Sequence, residues 1–186
     1  MNKMSMIKKL SLAALCTALC VVLPIAFHMI PNAGQIMLPM HIPVLLCGLV
    51  CGWQSGLLCG ILGPILSSTI TGMPMAAILP SMVVELGVYG ISCGILMSLV
   101  RTGKIYGDLY ISLILSMLAG RVVSGIAKAL IFAPGTSFVA WATASFVTAL
   151  PGIAIQLVVL PTLIVALTRA GLIPRRYAQE GKASAK

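Results

Sequence analysis

Long apolar segments follow one another along the chain and are separated by short stretches rich in Gly, Pro and charge. Single apolar runs cover residues 10–30, 76–100, 109–132 and 142–167. Each run predicts one membrane-spanning helix, because a span needs about 20 apolar residues. The run 42–70 is interrupted near its middle by the sequence CGWQSG. It predicts either one helix or a hairpin of two short helices, and the total is then five or six spans.

Basic residues decide between the two topologies, because cytoplasmic loops of membrane proteins are enriched in Lys and Arg. They form three groups, one before the first run, one in a central loop and one after the last run: Lys3, Lys8 and Lys9; Arg101 and Lys104; Arg169, Arg175, Arg176, Lys182 and Lys186. Six spans place all three groups in the cytoplasm, whereas five spans place the last two outside. We therefore predict an all-α bundle of six transmembrane helices over residues 1–170 and a basic cytoplasmic tail over residues 171–186. Both termini are predicted to be cytoplasmic, the tail is expected to fray, and Pro151 and Pro161 are expected to bend the last helix.

The composition excludes several classes of function. The chain is 60% hydrophobic and 8% charged, which requires the lipid bilayer as solvent for most of its surface. The net charge of +9 is explained by cytoplasmic flanks, so no nucleic-acid partner is predicted. There is no GxxxxGK[ST] loop for a nucleotide, so any ATP chemistry belongs to another chain. The acidic residues are Glu85, Asp108 and Glu180, and the last two lie outside the apolar runs. They form no catalytic set with the histidines, and no cofactor is indicated.

Six cysteines lie in apolar runs, with no CxxC pair and no metal-ligand spacing. They are predicted to be small packing residues, and no metal site or disulfide framework is expected.

Three ionisable residues lie inside predicted spans, where such groups are functional candidates by default. A rise of 1.5 Å per residue places Glu85 about 13 Å, Arg121 about 16 Å and Lys128 about 6 Å from the outer end. Glu85 is therefore level with Arg121 and can pair with it, which leaves Lys128 spare. Gly125 lies between the two cations on the same helix face and allows a close approach to the backbone. A small anionic ligand, most simply a carboxylate, would neutralise the spare cation; alternatively, Lys128 only extends to lipid headgroups.

Other polar or aromatic residues are predicted in the outer half of the bundle, each with a structural alternative. His41 can cap the second helix, Trp141 can anchor the chain at the membrane interface, and Gln156 lies deepest and is the weakest candidate. The set comprises Asn32, Gln35 and His41 from the first outer loop, Tyr89 one turn from Glu85, and Trp141 and Gln156 from the last helix.

Small residues four apart occur in two places and allow close helix packing in lipid. Ala14 and Ala18 form an AxxxA pattern in the first helix. A second series spans the interrupted run, and its simplest interpretation is packing within the bundle: Gly48, Gly52, Gly56 and Gly60.

The six spans, the AxxxA pattern and the segment 38–74, with its sequence HIPVLLCGLVCG, resemble the substrate-binding S components of energy-coupling factor (ECF) vitamin transporters. The resemblance implies a vitamin site near the outer face of a multi-pass protein in a bacterial plasma membrane. It implies an ECF module as partner, made of one membrane coupling subunit and two ATPases. Ala14 and Ala18 would dock on the coupling subunit, and the loop 31–41 would cover the site.

The sequences GPILSSTITGMP and PSMVVELGVYG resemble the pantothenate-type branch most, so pantothenate is the favoured ligand, although other small vitamins fit the family. The expected function is capture of a small, anionic vitamin or precursor for ATP-driven uptake, with Arg121 and Lys128 as ligand contacts and no enzymatic activity. Two alternatives stay open. One is a stand-alone secondary transporter or channel that uses Glu85 as an ion relay, and the other is an assembly subunit.

Overall fold

The structure, a computed structural model, describes residues 4–26, 36–132, 135, 137–174 and 176–177. This part of the chain contains α-helices and no β-strand, which confirms the predicted all-α class. The α-helices are α1 (Met6–Ala26), α2 (His41–Cys51), α3 (Trp53–Thr71), α4 (Leu79–Leu99), α5 (Ile105–Ala127), α6 (Phe138–Ala142) and α7 (Leu150–Arg169). Two of them continue as π-helices, α5 over Lys128–Phe132 and α6 over Thr143–Thr148.

Four of these helices are long and apolar enough to cross a membrane: α1, α4, α5 with its π-helical extension, and α7. The chain is therefore a multi-pass membrane protein. Helix α2 has 11 residues and is shorter than a straight span. The total of six spans stays a prediction.

The interruption predicted at CGWQSG is confirmed. Helix α2 ends at Cys51, α3 begins at Trp53, and Gly52 between them has a φ of 96°. Residues with a side chain rarely adopt this backbone conformation, and glycine adopts it readily. The two helices fold back on each other, so that a methyl group on Gly56 would lie 2.8 Å from the Cα atom of Gly48.

A seam of glycines joins the α2–α3 hairpin to α4. A methyl group on Gly48 would lie 2.8 Å from the carbonyl oxygen of Gly90, and Gly56 packs against the same carbonyl. Gly60 packs in the same way against the backbone of Leu86. The packing predicted for the glycine series is thus confirmed at these positions, and the seam fixes α4 against α2 and α3.

Helix α1 lies on one side of this core and contacts α2 and α3. Its buried face carries Cys16 and Cys20, whereas Ala14 and Ala18 are on the exposed face. The Sγ atoms of Cys20 and Cys59 are 3.9 Å apart. All six cysteines are buried, as expected for packing residues.

The last helix was predicted over residues 142–167, and the predicted beginning at residue 142 is wrong. The structure begins an uninterrupted α-helix only at Leu150 and precedes it with α6 and its π-helical extension. Pro151 lies in the first turn of α7, where a missing N–H group costs no hydrogen bond. It therefore starts the helix and does not bend it, while Pro161 lies inside the helix.

The tail was expected to fray, but its first residues dock on the bundle. Asp108 is fully buried in the first turn of α5 and not in a loop. Its carboxylate accepts hydrogen bonds from Tyr177 Oη at 2.6 Å and from the Thr102 backbone N–H at 2.7 Å, and it pairs with Arg176 Nε at 2.6 Å. A buried carboxylate needs such partners, and Arg176 and Tyr177 of the tail supply two of them.

Candidate functional site

Glu85 lies at the centre of a polar group formed by α2 and α4. Its Oε1 atom accepts a hydrogen bond of 3.0 Å from Tyr89 Oη, one helical turn away. The Nε2 atom of His41 lies 3.6 Å from the same oxygen, a distance within ion-pair range but longer than a hydrogen bond. The His41 and Tyr89 rings are 5.2 Å apart between centroids, and Tyr89 packs on Gly120 of α5.

The ion pair predicted between Glu85 and Arg121 is wrong. No nitrogen of Arg121 lies within 4.0 Å of the Glu85 carboxylate, because that carboxylate faces His41 and Tyr89. Arg121 Nη1 donates a hydrogen bond to the carbonyl oxygen of Ser145. The guanidinium carbon also lies 5.8 Å from the centroid of the Phe146 ring, a distance typical of a cation–π contact. Equal depth in the membrane does not fix the direction in which either side chain points.

Three buried side chains carry polar atoms with no hydrogen-bond partner among the described residues. These atoms are both ring nitrogens of His41, the Nε atom of Arg121, and the amide oxygen and nitrogen of Gln156. The side chains are only 2%, 4% and 0% exposed, respectively. Most buried polar groups in proteins are hydrogen-bonded. This unsatisfied set of donors and acceptors is therefore suited to a polar ligand.

An apolar cavity of about 540 Å³ lies between the end of α5 and α6 and is open on one side, where Ile126 and Phe138 are exposed. Its charged lining residue is Lys128, and aromatic rings form much of the wall; the lining residues are Val122, Gly125, Ile126, Lys128, Ala129, Phe138, Trp141, Ala142 and Phe146. The indole of Trp141 lies directly on Gly125, where a methyl group would overlap it. The close approach predicted at Gly125 is thus made by Trp141. Lys128 is half-buried, and its ammonium group has no ion pair or hydrogen bond within the described part of the chain.

Both π-helices border this cavity. Lys128 and Ala129 come from the first of them, and Phe146 comes from the second. Such segments are rare and occur frequently at functional sites. Phe146 both lines the cavity and lies over Arg121, so it joins the apolar cavity to the polar group.

The structure thus brings His41, Glu85 and Tyr89 into one polar group, with Arg121 of α5 close enough to act electrostatically on Glu85 and Tyr89, and places Lys128 and Trp141 in the adjoining cavity. His41 is the first residue of α2 and not part of a loop, and its side chain does not cap the helix. Asn32, Gln35 and the rest of residues 31–35 of the predicted covering loop lie outside the described residues. Sequence reasoning missed Ser145 and Phe146. The five-residue spacing from Trp141 to Phe146, which fits a π-helical turn, was the only signal for them.

A family model described as "ECF transporter, substrate-specific component" matches residues 8–164. This range includes every described residue of the polar group and of the cavity. Comparisons with curated proteins and with solved structures give no match.

Proposed function

The chain belongs to the family of substrate-specific components of ECF transporters, and we propose that it captures a small anionic vitamin or vitamin precursor for ATP-driven uptake. Subunits of this family pair with an ECF module, bind a small-molecule substrate and are not enzymes. Pantothenate is the favoured ligand. It is a small aliphatic carboxylate, and segments 63–74 and 80–90 resemble the pantothenate-type branch.

The buried charge of Arg121, which has no carboxylate in direct contact and interacts with Glu85 only at longer range, is the observation that carries this proposal. Arg121 is 4% exposed, and its guanidinium contacts a backbone carbonyl and an aromatic ring but no carboxylate. Among the described residues of the site, Arg121 and Lys128 are basic side chains and Glu85 is the one carboxylate. A buried cation without an anion is costly. A ligand carboxylate supplies the missing charge, and its two oxygens suit the guanidinium fork.

The cavity beside Arg121 suits the rest of such a ligand. Its volume of about 540 Å³ lies within the range of small-molecule sites, roughly 300–1,000 Å³. Its walls are apolar and aromatic apart from Lys128. An aliphatic acid can therefore place its carboxylate toward the cations and its carbon chain against the walls.

The exposed face of α1 supports the proposed docking on the partner. Ala14 and Ala18 are exposed and one turn apart, and small residues allow another helix to approach closely in lipid. The partner module would comprise one membrane coupling subunit and two ATPases. In this proposal the protein lies in a bacterial plasma membrane with both termini in the cytoplasm, as the basic groups predict.

The direct test is mass spectrometry of the small molecule that co-purifies with this chain when it is expressed alone in rich medium. We expect one carboxylate per chain from the wild type and a strongly reduced amount from Arg121→Gln. Arg101→Gln is the matched control, because Arg101 is an exposed arginine in the loop between α4 and α5. A neutral or cationic ligand would overturn the charge argument, and full retention by Arg121→Gln would place the ligand elsewhere.

A transport assay separates this function from a stand-alone secondary transporter. Cells that express the chain without ECF ATPases should show no pantothenate uptake above background. Robust uptake in those cells would favour the stand-alone alternative, with Glu85 as its ion relay.

A further inference from the structure

Gln156 is the single polar side chain on the buried face of α7. Buried residues recur every four positions along this helix, at Gly152, Gln156, Leu160 and Ile164, with Pro161 beside them. The Gln156 side chain is 0% exposed, and neither its amide oxygen nor its amide nitrogen has a hydrogen-bond partner in the described part of the chain.

The surroundings of α7 direct this face toward the polar group. Helix α7 contacts α2 and α5, the helices that carry His41 and Arg121. One turn before Gln156, a methyl group on Gly152 would lie 2.6 Å from the carbonyl oxygen of Ile36, so this face of α7 packs against the chain that leads into α2. Gln156 lies six residues, or about 9 Å, from the beginning of α7. Glu85 lies at the same distance from the beginning of α4, and both helices are predicted to begin on the same side of the membrane.

A carboxamide offers both a donor and an acceptor, and burial without partners is unfavourable for each of them. A leucine of similar size would avoid this cost. The carboxamide is suited to a ligand group that donates one hydrogen bond and accepts another. A carboxylate is not such a group, because it has no donor for the amide oxygen. A ligand carboxylate is also better partnered by the cations Arg121 and Lys128 than by an amide.

We propose that Gln156 is a specificity-determining residue, which pairs with a neutral amide or hydroxyl group of the ligand while Arg121 binds the carboxylate. The substrate class is then a small carboxylic acid that also carries an amide or hydroxyl group. This inference rests on the function proposed above and adds a second recognised group to it. A site built around a hydrogen-bonding residue rejects analogues that lack the partner group, because the residue is then left unpaired.

The test compares Gln156→Leu with Thr162→Val, a control on the exposed face of the same helix. The probes are pantothenate and 4-methylvalerate, a branched acid of the same charge with no amide or hydroxyl group. The purified chain, freed of ligand, is measured by isothermal titration calorimetry and by thermal unfolding. Gln156→Leu should weaken pantothenate binding by roughly 10-fold to 100-fold, the loss expected when a buried polar group loses its partner. It should weaken 4-methylvalerate binding much less.

The ligand-free Tm separates recognition from a structural role. If Gln156 is unpaired before the ligand binds, Gln156→Leu should raise this Tm, whereas Thr162→Val should leave Tm and affinity unchanged. A lower ligand-free Tm in Gln156→Leu would overturn the proposal, because it would show that the amide is bonded within the protein. Unchanged pantothenate affinity in Gln156→Leu would also overturn it while leaving the proposed function intact. A wild-type chain that does not bind pantothenate would instead refute the ligand assignment, and the role of Gln156 with it.

Discussion

Two glycines on α4, three residues apart, differ sharply in what a methyl group would meet. On Gly90 it would overlap the carbonyl group of Gly56 and lie 2.9 Å from the backbone nitrogen of Leu57. On Gly87 it would lie 3.6 Å from Leu57 Cδ1 and 3.8 Å from Ile61 Cγ1, which are ordinary contacts with flexible side chains. The same change to alanine, in the same helix, should therefore have opposite effects on stability.

The magnitudes follow from two terms. Overpacking costs about 1–3 kcal/mol, and the upper end applies at Gly90 because the atoms it would meet belong to the backbone of α3. Alanine is favoured over glycine in a helix by about 0.8–1.0 kcal/mol. Gly90→Ala is thus expected to destabilise the protein by about 2 kcal/mol, and Gly87→Ala to stabilise it by up to about 1 kcal/mol. At about 2–4 °C per kcal/mol, Tm should fall by roughly 4–8 °C in the first variant and rise by about 2–4 °C in the second.

The assay is thermal unfolding of the purified chain in detergent, followed by tryptophan fluorescence, with both variants and the wild type in one buffer. Gly87→Ala controls for the general effect of replacing glycine in α4. Equal shifts in the two variants, or a rise of Tm in Gly90→Ala, would refute the backbone contact between α3 and α4.

Three other substitutions separate the roles of charge, docking and the tail. Lys128→Ala should weaken pantothenate binding by about tenfold without lowering the yield or Tm, whereas Lys104→Ala should leave pantothenate binding unchanged. Equal pantothenate affinities of Lys128→Ala and the wild type, measured by calorimetry, would remove Lys128 from the site. Ala14→Trp should abolish uptake by the chain reconstituted with its ECF module but spare binding, whereas Leu15→Trp should allow uptake; transport by Ala14→Trp would exclude docking through this face. Asp108→Asn should cost about 3 kcal/mol, the loss expected for a broken buried ion pair, and lower Tm by roughly 6–12 °C. An unchanged Tm would mean that the docked tail contributes no stability.

Local patterns were sufficient for several features. The break at Gly52 was predictable because glycine and polar residues interrupt an apolar run. The contact between Glu85 and Tyr89 was predictable because residues four apart share a helix face. The glycine seam was likewise visible as a repeat, although its partner on α4 was not.

Features that depend on tertiary packing were not predictable in this way. Distance along a helix gives the depth of a side chain but not its direction around the axis, so His41 was not recognised as the partner of Glu85. The docking of Tyr177 on Asp108 joins residues 69 positions apart, and no local pattern reports it. The prediction of the last helix relied on the length of an apolar run, and the π-helical segment Thr143–Thr148 lies within that run, so the run could not show where the uninterrupted helix begins.

The identity of the unpaired cation changes the argument for an anionic ligand. Sequence reasoning paired Glu85 with Arg121 and left Lys128 spare, but in the structure Glu85 faces Tyr89 and His41. Arg121, which is 4% exposed, is therefore the buried cation without a carboxylate in direct contact. Lys128 is half-buried, and its long side chain can carry the ammonium group toward water or headgroups. Because charge is more costly where it is more deeply buried, a ligand carboxylate relieves more unfavourable free energy at Arg121. Arg121 must then contribute the larger share of the affinity, and Lys128, at the wall of the cavity, the smaller.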